Sequence, residues 1–219
     1  MRIRWGILAK SWATAVLMTG LGLASSASAS LISRGPDLVY DNVLNITWTR
    51  NASLPGSSVL TWAQANAWAA NLVFAGFDDW RLATVNATSP LTSFAAVTDC
   101  GLVSAAVCAA SGNELGYMYY QDLAGQQGNN MSGTQTAVGG EVLTGIPSFP
   151  WSGTDFGGDF HWGFNFKTGL DFAFTDSGRL SAWAVRSGDV TTTVPVPLPP
   201  TFVLVLAGLG LLGWRTKRR

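Results

Sequence analysis

The chain is 219 residues long, rich in glycine (25) and tryptophan (10), and charged at only 12% of its positions. Its formal charge is zero, yet Ser30–Val190 holds six bases against thirteen acids, a net of −7, while the two ends hold bases alone. An acidic body argues against nucleic-acid binding, which needs a basic footprint, and its length admits one domain.

Residues 1–29 read as a signal peptide. Arg2, Arg4 and Lys10 precede an apolar run ending at Leu23, and Ala27-Ser28-Ala29 has the small-x-small pattern that signal peptidase cuts. The mature body then spans residues 30–190. Leu38–Asp41 and Leu44–Trp48 read as two strands around an Asp41-Asn42 turn, followed by a loop over Asn51–Ser58.

The stretch Thr61–Val85 reads as a helix, a stop, an acidic turn and a strand beginning at Trp80. Thr61 and Gln64 have capping-box spacing. Trp62, Ala65, Trp68, Ala69, Leu72 and Val73 fall in one arc of roughly 140°, with Gln64 and Asn71 opposite. Gly76 is the expected helix stop. Beyond Val85 the chain reads as irregular, with a helical turn near Leu91–Val97. Cys100 and Cys108 are expected to pair in an oxidising compartment, and with His161 as the single histidine they lack the further ligands of a metal site. Glu114–Leu123 suits a second helix, placing Leu115, Met118, Tyr119 and Leu123 on one face. Gly125–Gly140 reads as loop.

The last third reads as β structure. From Phe160 to Phe166 every even position is aromatic, a strict period of two. Lys167-Thr168-Gly169 turns the chain, and Phe172 and Phe174 continue the pattern on a return strand. The even row is expected to be a core face covering the Trp62/Trp68 helix, the alternative being a ligand-stacking platform, with His161 on the solvent side. A turn at Asp176-Ser177-Gly178 leads to a strand over Leu180–Arg186.

Residues 191–200 form a proline-stiffened linker. Leu198–Trp214 is an uncharged run of 17 residues, about 25 Å as a helix and close to the bilayer's apolar thickness. Arg215, Lys217, Arg218 and Arg219 close it as a cytoplasmic positive stop. The segment 194–219 resembles a PEP-CTERM sorting signal, with Val196, Pro197, Leu198 and Pro199 as its proline motif and the arginines as its basic end. Leu198 stands where the namesake motif has Glu. The resemblance implies an exosortase-type peptidase as partner, a single-pass tether of about residues 198–214, and delivery to the envelope or extracellular matrix.

Between the addresses, Tyr40-Asp41, Leu44–Trp48, Leu60-Thr61-Trp62-Ala63, Asp79-Trp80-Arg81-Leu82, Trp151-Ser152-Gly153-Thr154, Trp162–Phe166 and Ala182–Arg186 occur in the order of a known domain. The segment resembles the Lcl C-terminal domain family. The resemblance implies an α+β, C-type-lectin-like fold with two helices and a twisted antiparallel sheet, and a relationship to the formylglycine-generating group. Arg81 and Arg186 lie in these motifs and are expected to stack on tryptophan or to pair with Asp78, Asp79 or Asp189.

No nucleophile motif accompanies His161, and the acid pairs Asp78-Asp79 and Asp155/Asp159 read as turns more readily than as glycosidase carboxylates. The triplets of calcium-binding lectins are absent, so neither calcium nor another cofactor is expected. The sequence therefore points to a non-catalytic surface or matrix protein that binds polysaccharide. The alternatives are a purely structural matrix component and, behind it, an enzyme of the formylglycine-generating group. Candidate ligand groups lie on loops, where binding residues concentrate: Asp155 and Asp159, and Asn129 and Asn130 within the Gln126–Asn130 stretch.

Overall fold

The computed structural model describes residues 31–85, 96–97 and 99–190. The signal peptide 1–29, the linker 191–200, the sorting signal 194–219 with its span 198–214, and most of the turn expected over 91–97 lie outside the described residues. The remainder of that turn, Ala96–Val97, is a strand and not helical.

The first described elements are an antiparallel meander of β1 (Leu31–Ser33), β2 (Leu38–Asp41) and β3 (Ile46–Thr49). Asp41 closes the β2–β3 turn, its Oδ1 accepting from the amides of Val43 (2.8 Å) and Leu44 (3.0 Å). Asn45 takes the left-handed conformation there, at φ 54°, which asparagine tolerates better than most residues. β4 (Arg81–Leu82) and β11 (Ala184–Ser187) complete this sheet in the order β1–β2–β3–β11–β4.

α1 (Trp62–Ala70) begins as its sequence requires, with both hydrogen bonds of the Thr61/Gln64 capping box present. It ends earlier than expected, at an Asn71 cap, and Gly76 (φ 86°) serves the turn between Phe74 and Phe77 instead. Val73 is consequently exposed and off the apolar face. The residues α1 buries are Ala65 and Ala69, against Leu82, Trp151 and Ala182. Small side chains bring the helix backbone close to the sheet, and Trp62 and Trp68 lie half-buried at its flanks.

Two further short helices follow, making three α-helices among the described residues, and the first of them lies where irregular chain was expected. α2 (Ala105–Ala110) carries Cys108, bonded to Cys100 with 4.7 Å between their Cα atoms; closing so short a loop contributes about 2.5 kcal/mol. α3 (Glu114–Tyr117) runs straight into a π-helical turn, Met118–Asp122. Leu115, Met118, Tyr119 and Leu123 are all buried, as their spacing predicts. The expected loop over 125–140 contains β6 (Gly133–Thr136), paired with β7 (Val142–Ile146) as a separate ribbon.

The second large sheet runs β5 (Ala96–Val97), β10 (Leu170–Thr175), β9 (Phe160–Asn165), β8 (Trp151–Gly157) in spatial order. Trp162, Phe164 and Phe166 are buried, in agreement with a core face, whereas Phe160 at the strand end is exposed and not part of it. Their cover differs from the expected one. Tyr119 of the π-helical turn meets Phe164 and Phe166 at 5.7 and 6.0 Å between centroids, and Phe166 meets Trp183 at 5.8 Å. The π turn presents large rings and fills this space, whereas α1 buries only alanines and packs elsewhere.

The arginines tie the layers together. Arg186 takes Asp79 through two bonds of 2.7 and 2.8 Å, with its guanidinium 4.2 Å from the centre of the Phe77 ring. Arg81 departs from expectation: its partner is Glu114 of α3, at 2.7 and 2.6 Å, while Asp189 goes to Arg34. Glu114 also accepts the Thr84 amide at 2.9 Å. Arg81→Ala would strand a nearly buried carboxylate, and the expected loss is about 2–3 kcal/mol, at the low side for a broken buried pair because Arg81 retains solvent contact. A urea denaturation midpoint measures it, and Glu114→Gln, which removes the charge, should cost less.

Candidate functional site

Which face of the second sheet is open depends on the length of one turn. β9 and β10 are joined by the four residues 166–169, closed by the Gly169 amide on the Asn165 carbonyl (2.7 Å) and by Asn165 Oδ1 accepting the Lys167 amide (2.9 Å). The resulting register places Phe172 opposite Gly163 and Phe174 opposite His161. Directly opposed residues share a face. Phe172 and Phe174 therefore stand on the side away from Trp162 and Phe164, and do not continue the even row.

On that side the aromatic groups form a contiguous row. Phe149 meets Phe172 at 6.0 Å, Phe172 meets Phe174 at 6.2 Å, and Phe174 meets Trp151 at 6.0 Å. Trp151 is fully buried, but Phe149 and Phe174 are 38% and 39% exposed. Lys167 Nζ lies 5.7 Å from the centre of the Phe149 ring. Gly163 is the floor of the row: a Cβ there would sit 2.7 Å from the Phe172 ring and 3.1 Å from the Pro150 carbonyl.

The end of the row is built on His161, which is not on the solvent side as expected but 7% exposed. Trp62 of α1 stacks on it, with centroids 3.8 Å apart and planes within 4°. The indole is fixed by its Nε1 donating to the Ser152 carbonyl at 2.8 Å. Each imidazole nitrogen meets a carboxylate: Nδ1 faces Asp155 Oδ1 at 2.9 Å, and Nε2 makes a short contact with Asp176 Oδ1. The Asp155 and Asp176 side chains are themselves 61% and 57% exposed. The Gly157 amide, and after it His161, hold Asp155 below the usual carboxylate range. Its contribution to stability is therefore present above about pH 4 and lost as pH falls through the lowered value.

The nominated loop residues fall into two groups. Asp155 lies on β8 beside His161, and the Asp159 carbonyl accepts the Asp176 amide at 2.9 Å, so these two acids share the Phe160 end of β9. Asn129 and Asn130 belong to the opposite end, about 20 Å along the strand direction. Their loop is tied there by the Gly128 amide on Thr168 and the Met131 amide on Phe166. The Asn129 carbonyl accepts the Tyr119 hydroxyl at 2.5 Å, and Asn130 Oδ1 accepts from the amide and hydroxyl of Ser132. The structure thus joins Asp155 and Asp159 to a site and leaves Asn129 and Asn130 outside it. The groups that sequence reasoning missed are Trp62 as a stacking partner, Phe149, Phe172, Phe174 and Asp176. The signal for the phenylalanines is the parity of the turn.

Among the described residues no three of His, Cys, Asp and Glu converge as metal ligands, and no described helix is long and apolar enough to cross a membrane. The sequence model of the Lcl C-terminal domain family matches residues 37–186. No curated protein and no solved structure matches the chain.

Because Gly163 supports the Phe172 ring by lacking a side chain, Gly163→Ala should displace that ring or open the β8–β9 pairing. The expected cost is about 1–3 kcal/mol, read as a lower melting temperature with an altered near-ultraviolet aromatic spectrum.

Proposed function

The chain belongs to the Lcl C-terminal domain family, and from that premise we propose that it is a secreted or surface-associated module that recognises glycan on the open face of β8, β9 and β10. The observation that carries this reading is the half-open row Phe149–Phe172–Phe174 beside a tryptophan already stacked on a histidine. Aromatic faces suit the C–H-bearing faces of sugar rings, and the exposed carboxylates of Asp155 and Asp176 supply acceptors for sugar hydroxyls. Asp159 extends this rim, and Asn129 and Asn130 offer contacts to a chain long enough to reach the far end of β9. Binding at one such site is weak, and dense display offsets this through avidity.

The reading is of a binding module and not an enzyme, without a cofactor. Its support is that carboxylates engage both nitrogens of His161. In addition, Ser152 Oγ accepts the amides of Val85 and Thr154, so among the described residues His161 and Ser152 do not form a free base beside a free nucleophile. The C-type-lectin-like architecture is part of the proposal, supported by an α+β domain whose first and last described strands share one sheet. So is export: the leader 1–29 is cut by signal peptidase, the tail 198–214 tethers the chain, and an exosortase-type peptidase acts at Val196–Pro199. The basic ends and the acidic body support that route.

Binding of the purified chain to a glycan array, followed by titration with the best polysaccharide, tests the proposal. Phe174→Ala and Phe149→Ala should stay folded and bind about three- to tenfold more weakly, as expected for loss of one aromatic contact. Val73→Ala, in the exposed segment after α1, should bind like the parent. A folded protein that binds no glycan would leave the structural matrix role in its place.

A further inference from the structure

An acid pair that the glycan-binding face does not use lies between the first sheet and α3. Asp41 on β2 and Asp122 at the end of the π-helical turn are 0% and 1% exposed. Asp41 Oδ1 accepts two amides of the β2–β3 turn. Its Oδ2 and both oxygens of Asp122 meet no N–H donor, and the buried Tyr117 hydroxyl beside them is likewise unpartnered. The two carboxyl groups are within hydrogen-bonding reach of each other. The other charge nearby is Glu114 of α3, which raises Asp41 further and is itself neutralised by Arg81 of β4.

Two facing carboxylates in a dry interior repel each other and lose their hydration, so the pair must take up positive charge. We propose that Asp41 and Asp122 hold one proton between them at neutral pH, carried on Asp122 and donated to Asp41 Oδ2, so that folding of this domain takes up a proton. The two amides on Asp41 favour its ionised form, whereas Asp122 has no such donor. The resulting O–H···O⁻ bond is of the strong, charge-assisted kind, and it joins the β2–β3 hairpin to the helix whose Tyr119 supports β9.

Burial first, and then the charge of Asp41, push the Asp122 carboxyl well above the usual range; burial also raises Asp41. A raised folded value means that the native state binds the extra proton. This contribution is therefore fully present below the unfolded value, about pH 4, and is lost as pH rises through the folded one. Asp79 and Asp155, which are held low by Arg186 and by the Gly157 amide with His161, act in the opposite direction below about pH 4. The domain should be most stable on the acid side of neutrality.

The test is refolding of the full-length chain at pH 6 in weak buffer with an indicator dye. The parent should take up about one more proton per chain than Asp122→Asn, whose amide N–H replaces the O–H. The same substitution should hold or raise the melting temperature at pH 8 and flatten its rise between pH 8 and pH 5. Infrared spectra of the parent at pH 7 should contain the carbonyl band of a protonated carboxyl, a readout that needs no variant. Equal proton uptake, or absence of that band in the parent, would overturn the proposal. So would a stoichiometric cation in the purified protein whose chelation lowers the melting temperature, because a metal would then balance the charge.

Discussion

Everything in this domain leans on β9, whose two faces are used differently. Trp162, Phe164 and Phe166 sink into the main core against Tyr119 and Trp183. His161 and Gly163 face the other way, toward Trp62, Trp151 and the β10 phenylalanines. A strand covered on one face and roofed on the other at one end only is held firmly while part of its surface stays open. Burying the three even aromatics alone contributes several kcal/mol, so β9 cannot slip without turning that row to water. The open face inherits this rigidity.

Scarcity of positive charge shapes the rest. Among the described residues four arginines each take one acid, joining Arg34 to Asp189, Arg50 to Glu141, Arg81 to Glu114 and Arg186 to Asp79. Each pair spans distant parts of the chain, so few charges do much of the stapling, and fork-shaped guanidinium groups suit that task better than ammonium groups. What remains is acid in excess. At the surface that excess is solvated, and two of its members, Asp155 and Asp176, flank the His161 ring. Between Asp41 and Asp122 no side-chain cation is at hand among the described residues, and burial leaves a proton as the counter-charge.

Local chemistry was legible in the sequence where the deciding residues are neighbours. The Thr61/Gln64 box, the Asp41 turn, the Cys100–Cys108 bridge and the buried face of α3 all follow from short spacings. What escaped was settled at a distance or by a single residue. A three-residue turn at Lys167–Gly169 would pair Phe166 with Leu170 and keep Phe172 and Phe174 on the row of Phe164. The four-residue turn pairs Asn165 with Leu170 and flips them. His161 was misplaced for a related reason: alternation says that it opposes Trp162, but not that α1 brings Trp62 over that side. Arg81 found Glu114 across the cystine-bearing insertion, which no local pattern encodes.

Exposure alone does not mark the proposed glycan face, and Phe160 shows why. It is 44% exposed, more than Phe149 or Phe174, yet it stands at a strand end with Phe156 as its ring neighbour, 6.2 Å away. Single exposed apolar side chains are ordinary on protein surfaces. Phe149, Phe172 and Phe174 differ in forming a row, on a floor that Gly163 keeps low, ending at a fixed indole–imidazole stack and a pair of exposed carboxylates. A patch that only awaited burial by another apolar surface would have no use for acids at its edge, since covering them costs hydration. A ligand that is flat and apolar on one side and hydroxylated at its rim uses both.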